Sequence, residues 1–316
     1  MATTSTNETL LHDLVVAGRY RIERVIAEGT TGHLFRARRL SDDRVIALKC
    51  GSIESEMSRT SLRVEAQALA ALDHPNIVRF LEHREGRDLC FLAMEHLDGV
   101  DLAARMRQAP VTRAQAMLWL HELASALDHV HAAGLVHRDI KPANVMIVRA
   151  SDGVEHAVLI DFGLASPRTT RKQRTRFLCG TPAYMAPEQA LGNDADVSAA
   201  TDRYALAAVA LELVTGHRPY PNGSIPELLR RVMQESPRAP SELGDFDARV
   251  DEVFAKALAR EPRARFASCE ASIAAIEASL PRPRRARPSR APKPGKTISL
   301  TARRLPKTIT APAKAA

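Results

Sequence analysis

The sequence predicts an α+β fold of two lobes, β-rich then α-rich, with a disordered basic tail behind them. Three observations point there. Short β-branched and aromatic stretches fill the first hundred residues, helical patterns fill the next 180, and the composition changes abruptly at about residue 281. At 316 residues the chain also exceeds the ~250–300 that a single core serves, which favours two lobes.

The elements follow in order. Residues 1–17 are polar, then weakly apolar, and read as a flexible leader. Tyr20–Ile26, Leu34–Ala37 and Val45–Cys50 are strand-like runs broken by Gly and Asp. Ser61–Leu72 places Leu62, Leu69 and Leu72 at helical spacing and is closed by Asp73-His74-Pro75. Ile77–Leu81 and Cys90–Met94 read as two more strands. Beyond Gly99 the pattern turns helical. Arg113–Ala133 is a long amphipathic helix with Trp119 as its core anchor, and Ala199–Thr215 is apolar enough to be buried. Leu228–Met233, Val250–Arg260 and Ser268–Ser279 complete the helices, and there is no internal repeat.

Charge divides the chain sharply. The whole carries 45 Lys+Arg against 37 Asp+Glu, a net of +8. From Pro281 to Ala316 there are 11 Lys+Arg and no acid, so the remainder holds 34 against 37, a net of −3. The tail also holds 7 of the 19 prolines and few large apolar residues, too little to offset chain entropy. It is either a solvated solubility tail or a contact for an acidic protein, an anionic lipid or nucleic acid. Without interleaved aromatics, nucleic-acid contact would be non-specific and salt-sensitive.

Hydrophobic residues at 45% exclude disorder throughout. The longest apolar run, around Ala205–Leu211, is far short of the ~18 residues of a membrane span. No secretory signal opens the chain. Cys50, Cys90, Cys179 and Cys269 have no paired spacing, which fits reduced thiols and a cytoplasmic location. The oligomeric state has no signature in the sequence.

The strongest motif is His137-Arg138-Asp139-Ile140-Lys141-Pro142-Ala143-Asn144, followed by Asp161-Phe162-Gly163. Gly180-Thr181-Pro182-Ala183-Tyr184 and Ala186-Pro187-Glu188 come next. Upstream lie the turn Glu28-Gly29-Thr30-Thr31-Gly32 and Ala47-Leu48-Lys49. In this order and spacing the set resembles the protein kinases, specifically the bacterial eukaryotic-like Ser/Thr kinases, over about Gly18 to Leu280. The resemblance implies a two-lobed kinase fold at 18–280, with an N-lobe over about 18–96, a C-lobe over about 97–280, and a tail at 281–316.

It also implies roles. Phosphoryl transfer needs positioning and charge neutralisation around a dense anion. Asp139 matches the catalytic base and Lys141 the residue that neutralises the γ-phosphate. Asn144 and Asp161 supply hard oxygens suited to Mg²⁺ held with ATP. Lys49 matches the α/β-phosphate lysine, and Glu65 is its expected partner because it shares a helical face with Leu62 and Leu69. Glu54 and Glu56 are nearer but precede the helical pattern.

In the Gly-rich turn Ala27 replaces the first glycine, while Gly29 and Gly32 keep the second and third places. Leu34 and Ala47 resemble the adenine roof, Met94 the gatekeeper, Glu95 and Leu97 the hinge, Asp101 the ribose contact and Met146 the adenine floor. Plain core packing is the rival reading for the apolar members.

Lys141 and the Gly180–Tyr184 segment imply protein Ser/Thr hydroxyls as substrates, with Thr181 orienting the site. Arg138 implies a pocket for a phosphate on the activation segment, where Thr175 is the first candidate and Thr169 and Thr170 follow among five basic residues. Thr297, Thr301, Thr308 and Thr310 in the tail are further candidates. Glu188 and Arg265 match a buried ion pair, Asp202 a support of the catalytic loop, and His137 a packing residue. Many family members carry a membrane span and outside sensor after the kinase domain. None follows here, so the signal is expected through the cytosol, a partner or the tail. The alternative is a pseudokinase or scaffold that binds partners through the tail, favoured only by Ala27.

Overall fold

The computed structural model describes residues 14–29, 32–52, 55–87, 89–167, 182–193 and 195–281. Thr169, Thr170, Thr175, Thr181 and the tail threonines lie outside them.

The first lobe is a six-stranded antiparallel sheet: β1 (Val15–Val16), β2 (Tyr20–Gly29), β3 (Gly32–Arg39), β4 (Val45–Cys50), β5 (Phe80–Glu85) and β6 (Cys90–Glu95). Their spatial order is β1-β2-β3-β4-β6-β5. Alternation along the strands sends Tyr20, Phe35, Leu48 and Phe91 to one buried face. Tyr20 meets Phe91 edge to face with centroids 5.6 Å apart, and its hydroxyl donates to Glu82 at 2.7 Å.

Helix α1 (Glu56–Ala70) covers the other face. Ser55 caps it by accepting from Ser58 N–H, and Leu62, Ala66 and Leu69 form its buried stripe. The stretch leading from α1 to β5 is attached to the second lobe. Asn76 O accepts from Leu159 N–H at 2.8 Å, Val78 N–H donates to Leu159 O at 3.0 Å, and Asn76 Nδ2 donates to Ala157 O at 2.8 Å.

The second lobe contains β7 (Gly99–Asp101), α2 (Leu102–Gln108), α3 (Arg113–Ala132), β8 (Leu135–Val136), β9 (Val145–Arg149), β10 (Glu155–Leu159), β11 (Ser166–Pro167), α4 (Pro187–Ala190), α5 (Ala199–Thr215), α6 (Ile225–Gln234), α7 (Ala248–Ala257) and α8 (Cys269–Ser279). β10-β9-β7 form one small sheet and β11-β8 another. Helix α5 is mostly apolar and is buried through most of its length, with α3, α7 and α8 packed around it. The Thr112 hydroxyl and Gln115 form a reciprocal cap at the start of α3. Gly99 is required where β7 meets β9, because a Cβ there would lie 2.2 Å from Ile147 O.

Several expectations are adjusted. The sheet begins at Val15, inside the stretch read as leader, because Val15 and Val16 pair with Arg21 and Tyr20 and Val16 is buried. Helix α1 starts at Glu56 rather than Ser61, since Ser55 supplies the cap. The strand expected at Ile77–Leu81 starts instead at Phe80 and runs on through charged residues to Glu85. Ile77 forms an isolated bridge to Leu159, and the sheet-edge place of β5 leaves room for its charges. Among the described residues no helix is long and apolar enough to cross a membrane.

Candidate active site

A cavity of about 420 Å³ lies where the two lobes meet. Of the residues expected at the site, Ala27, Gly29, Gly32, Leu34, Ala47, Lys49, Glu65, Met94, Glu95, Leu97, Asn144, Met146 and Asp161 all line it. Strands β2 to β4 supply the roof, the connection after β6 the back, and β9 with the residue after β10 the floor. Gly32 has φ +134, and a Cβ there would lie 2.0 Å from Cys50 O, so only glycine lets β3 pass β4 at this corner. Ala27, in the place of the first glycine, pairs with Leu34 in the strand and needs no positive φ.

On β4, Lys49 points inward and its Nζ donates to Glu65 Oε2 at 2.7 Å. Its second carboxylate neighbour is Asp161 Oδ1, at 3.6 Å. Glu65 is nine residues past Glu56, two and a half helical turns, so the two face opposite sides of α1 and only Glu65 meets the lysine. Burial pushes the Glu65 carboxyl up against the pull of Lys49. Burial would lower the Lys49 ammonium, yet its two carboxylate neighbours outweigh that and hold it above the ordinary lysine value. Asp161 is partly exposed to the cleft, and Lys49 and the Gly163 N–H keep it below the usual aspartate value. It is therefore an anion at neutral pH.

Asp139 and Lys141 do not line the cavity but are joined to it through Asn144. Lys141 Nζ and Asn144 Nδ2 both donate to Asp139 Oδ2, at 2.7 and 2.9 Å, and Asn144 Nδ2 also donates to Asp139 O at 2.8 Å. The amide orientation of Asn144 is thereby fixed, with its Oδ1 turned from Asp139. The backbone before Asp139 is held from below. Asp202 accepts from His137 N–H and Arg138 N–H, each at 2.8 Å, and from His131 Nε2 at 2.8 Å. Gln189 Nε2 donates to Arg138 O at 2.9 Å. These contacts sustain Arg138 at φ 70, and Asp161 sits at φ 63, both unusual for side-chain-bearing residues.

The His137 ring is fully buried and meets Phe162 at 4.7 Å between centroids. Burial holds it below the ordinary histidine value, so it is uncharged at neutral pH. Arg265 and Glu188 form a buried pair with Nη1 to Oε1 and Nη2 to Oε2, both 2.8 Å.

Asp101 departs from expectation. It does not line the cavity: it is the N-cap of α2, where its Oδ1 accepts from Ala104 N–H at 2.7 Å. Asp98, one residue past the hinge, lines the rim instead. Glu95 N–H is already donated to Arg79 O at 3.0 Å, which removes that donor from any nucleotide contact. Val78 and Ile160 line the cavity and were not read from the sequence. Val78 follows the staple to Leu159, a contact no local pattern reveals.

The donor set fits a nucleotide with magnesium: an ammonium anchored by carboxylates, and two hard oxygen ligands, Asn144 Oδ1 and Asp161, on one wall.

Two lobes with the cleft between them form the protein-kinase architecture. Residues 20–274 match the protein kinase domain, and the chain belongs to that family, among the bacterial eukaryotic-like Ser/Thr kinases. It is 33% identical over 277 residues to the serine/threonine-protein kinase pkn3 of Myxococcus xanthus, covering 83% of this chain and 50% of the relative. It is 35% identical over 275 residues to PknJ of Mycobacterium tuberculosis, covering 84% and 46%. The chain therefore spans about half the length of these relatives. The crystal structure of the Mycobacterium tuberculosis PknI kinase domain superposes with a TM-score of 0.64 at 27% identity, covering 85% of this chain and 98% of that one.

Proposed function

We propose that the chain is a protein kinase that moves the γ-phosphoryl group of ATP onto Ser/Thr hydroxyls of proteins. The observation that carries this reading is two triplets that meet at one cleft: Glu65–Lys49–Asp161, all lining it, and Asn144–Asp139–Lys141, of which Asn144 lines it. Lys49, anchored by Glu65, takes the α/β-phosphates. Asn144 and Asp161 would hold Mg²⁺, which when bound would supply charge neutralisation at the phosphates. Lys141 and Asn144 both occupy Asp139 Oδ2, which leaves Oδ1 to accept the proton of the incoming hydroxyl. The names of the relatives, serine/threonine-protein kinases, support the choice of substrate class.

The kinase domain is assigned to 18–280 and the basic segment to 281–316, with the reaction in the cytoplasm. Thr175, Thr169 and Thr170 are assigned as sites of autophosphorylation in the activation segment. The tail is assigned a salt-sensitive contact with an acidic surface, tested by comparing full-length and 1–280 chains at low and high salt. The pseudokinase alternative rests on Ala27, whose strand position requires no glycine.

Transfer of label from ATP to a generic protein substrate, followed by phosphoamino-acid analysis, tests the reading. Wild type labels Ser and Thr, and Asp139→Asn and Asp161→Ala do not. Equal labelling by wild type and Asp161→Ala would sink it.

A further inference from the structure

Gln189, on the short helix α4, reaches back 51 residues to the backbone of the catalytic loop, where its Nε2 donates to Arg138 O at 2.9 Å. Its Oε1 accepts from Ala186 N–H at 3.3 Å. A backbone N–H can only donate, so the amide is fixed with its oxygen toward Ala186 and its nitrogen toward Arg138. Nothing in the chemistry described above uses this side chain.

The bond falls where the backbone most needs one. Arg138 sits at φ 70, a left-handed conformation that a side-chain-bearing residue keeps only where its surroundings impose it. Both of its backbone groups are held: the N–H donates to Asp202 Oδ1 at 2.8 Å, and the carbonyl accepts from Gln189. That carbonyl belongs to the peptide plane joining Arg138 to Asp139. The nitrogen of the same plane is Asp139 N–H, which donates to His137 Nδ1 at 3.3 Å. A planar unit gripped at its oxygen and at its nitrogen does not turn, and its orientation sets the direction in which the Asp139 side chain leaves the backbone. Of the two grips, the one from Gln189 is the shorter.

Both clamps on Arg138 share a base. Glu188, the neighbour of Gln189, accepts from Thr201 Oγ1 at 2.8 Å and is paired with Arg265 through both oxygens. Asp202 follows Thr201 in the first turn of α5. The carbonyl clamp and the N–H clamp are thus referred to adjacent residues of one buried helix.

We propose that Gln189 is a positioning residue for phosphoryl transfer: by holding Arg138 O, it keeps the peptide before Asp139 turned so that Asp139 Oδ1 meets the substrate hydroxyl. The inference rests on the kinase reading and adds to it a residue that does not line the nucleotide cavity, so its effect passes through Asp139.

The test uses the full chain, labelled ATP and a generic protein substrate. Gln189→Glu is isosteric and keeps an oxygen for Ala186 N–H, but it sets a carboxylate oxygen against Arg138 O. It is expected to lower kcat by about 10- to 100-fold, with KM for ATP within about twofold and thermal unfolding close to wild type. Gln189→Met, of similar length and without a donor, is expected to follow it and replaces it if the added charge disturbs folding. The same change is then made in the Asp139→Asn background, where the weak residual rate is followed over long incubation. A residue that acts only through Asp139 has nothing left to position there, so the second change should alter that rate by less than about twofold. Equal losses in the two backgrounds, or a loss that tracks lowered stability, would make Gln189 a plain brace of the fold. An unchanged kcat in Gln189→Met would remove the role outright. A wild-type chain that transfers no label would remove the kinase reading itself, and the inference with it.

Discussion

Arg265 reaches Glu188 across 77 residues of sequence and closes two parallel contacts of 2.8 Å inside the second lobe. Glu188 also accepts from Thr201 Oγ1, and Arg265 donates to Ala200 O, so both charges are satisfied on several sides. Removing one partner strands the other without water. Arg265→Ala or Glu188→Ala should each cost about 3–5 kcal/mol in denaturant unfolding. The double variant should cost clearly less than the sum, because neither charge is then left alone.

The Lys49–Glu65 contact makes a second prediction. In Glu65→Gln the ammonium keeps only Asp161 as a carboxylate partner and is drawn out of place. Phosphoryl transfer should fall on the order of 10²-fold, the cost of misplacing a positioning group. Unfolding stability, read in the same preparation, should change little or rise, because a buried carboxyl is removed. Parallel losses of stability and activity would show that the pair serves the fold instead.

Asp139 lies outside the cavity walls, so its effect should separate binding from chemistry. Asp139→Asn is expected to lower kcat by about 10²–10⁴-fold while leaving KM for ATP within about threefold. A large rise in KM would place the residue against the nucleotide.

Two glycines of the turn should behave differently. A Cβ at Gly32 meets Cys50 O at 2.0 Å, whereas one at Gly29 meets only Gly32 O at 3.7 Å. Gly32→Ala should therefore cost at least about 2 kcal/mol and weaken nucleotide binding. Gly29→Ala should unfold close to wild type. Thermal shift with and without ATP checks both.

The four tyrosines give a pH prediction. Burial and the Glu82 carboxylate push Tyr20 up to about 12, and burial raises Tyr184, Tyr204 and Tyr220 as well. A folded value above the unfolded one means that the neutral phenol stabilises the fold. That contribution is complete below about pH 10 and fades as pH rises toward about 12. Ultraviolet titration of the folded chain should show no tyrosine ionising near pH 10. Tyr20→Phe should shift the alkaline unfolding midpoint.

The meeting of Lys49, Asn144 and Asp161 at one cavity, with Asp139 bonded to Asn144, was legible in the sequence because the order of these residue types is a signature. Glu65 was legible through helical phase. Asp101 lies off the cavity wall for a physical reason: a carboxylate directly before Leu-Ala-Ala caps the helix that follows. The charged half of β5 was hidden because an edge strand tolerates side chains that a central strand excludes. The contact of His131 with Asp202 spans 71 residues and leaves no local pattern at all.

The attachment of residues 76–78 to Leu159 sets how the helix carrying Glu65 can move. One end of that rod is moored to the lower lobe while the other is joined to the upper lobe through Gly51 and Ser52. The ion pair between Glu65 and Lys49 thus joins a strand of the upper sheet to a helix whose following segment is bonded to the lower lobe, so the position of the lysine is tied to both lobes at once.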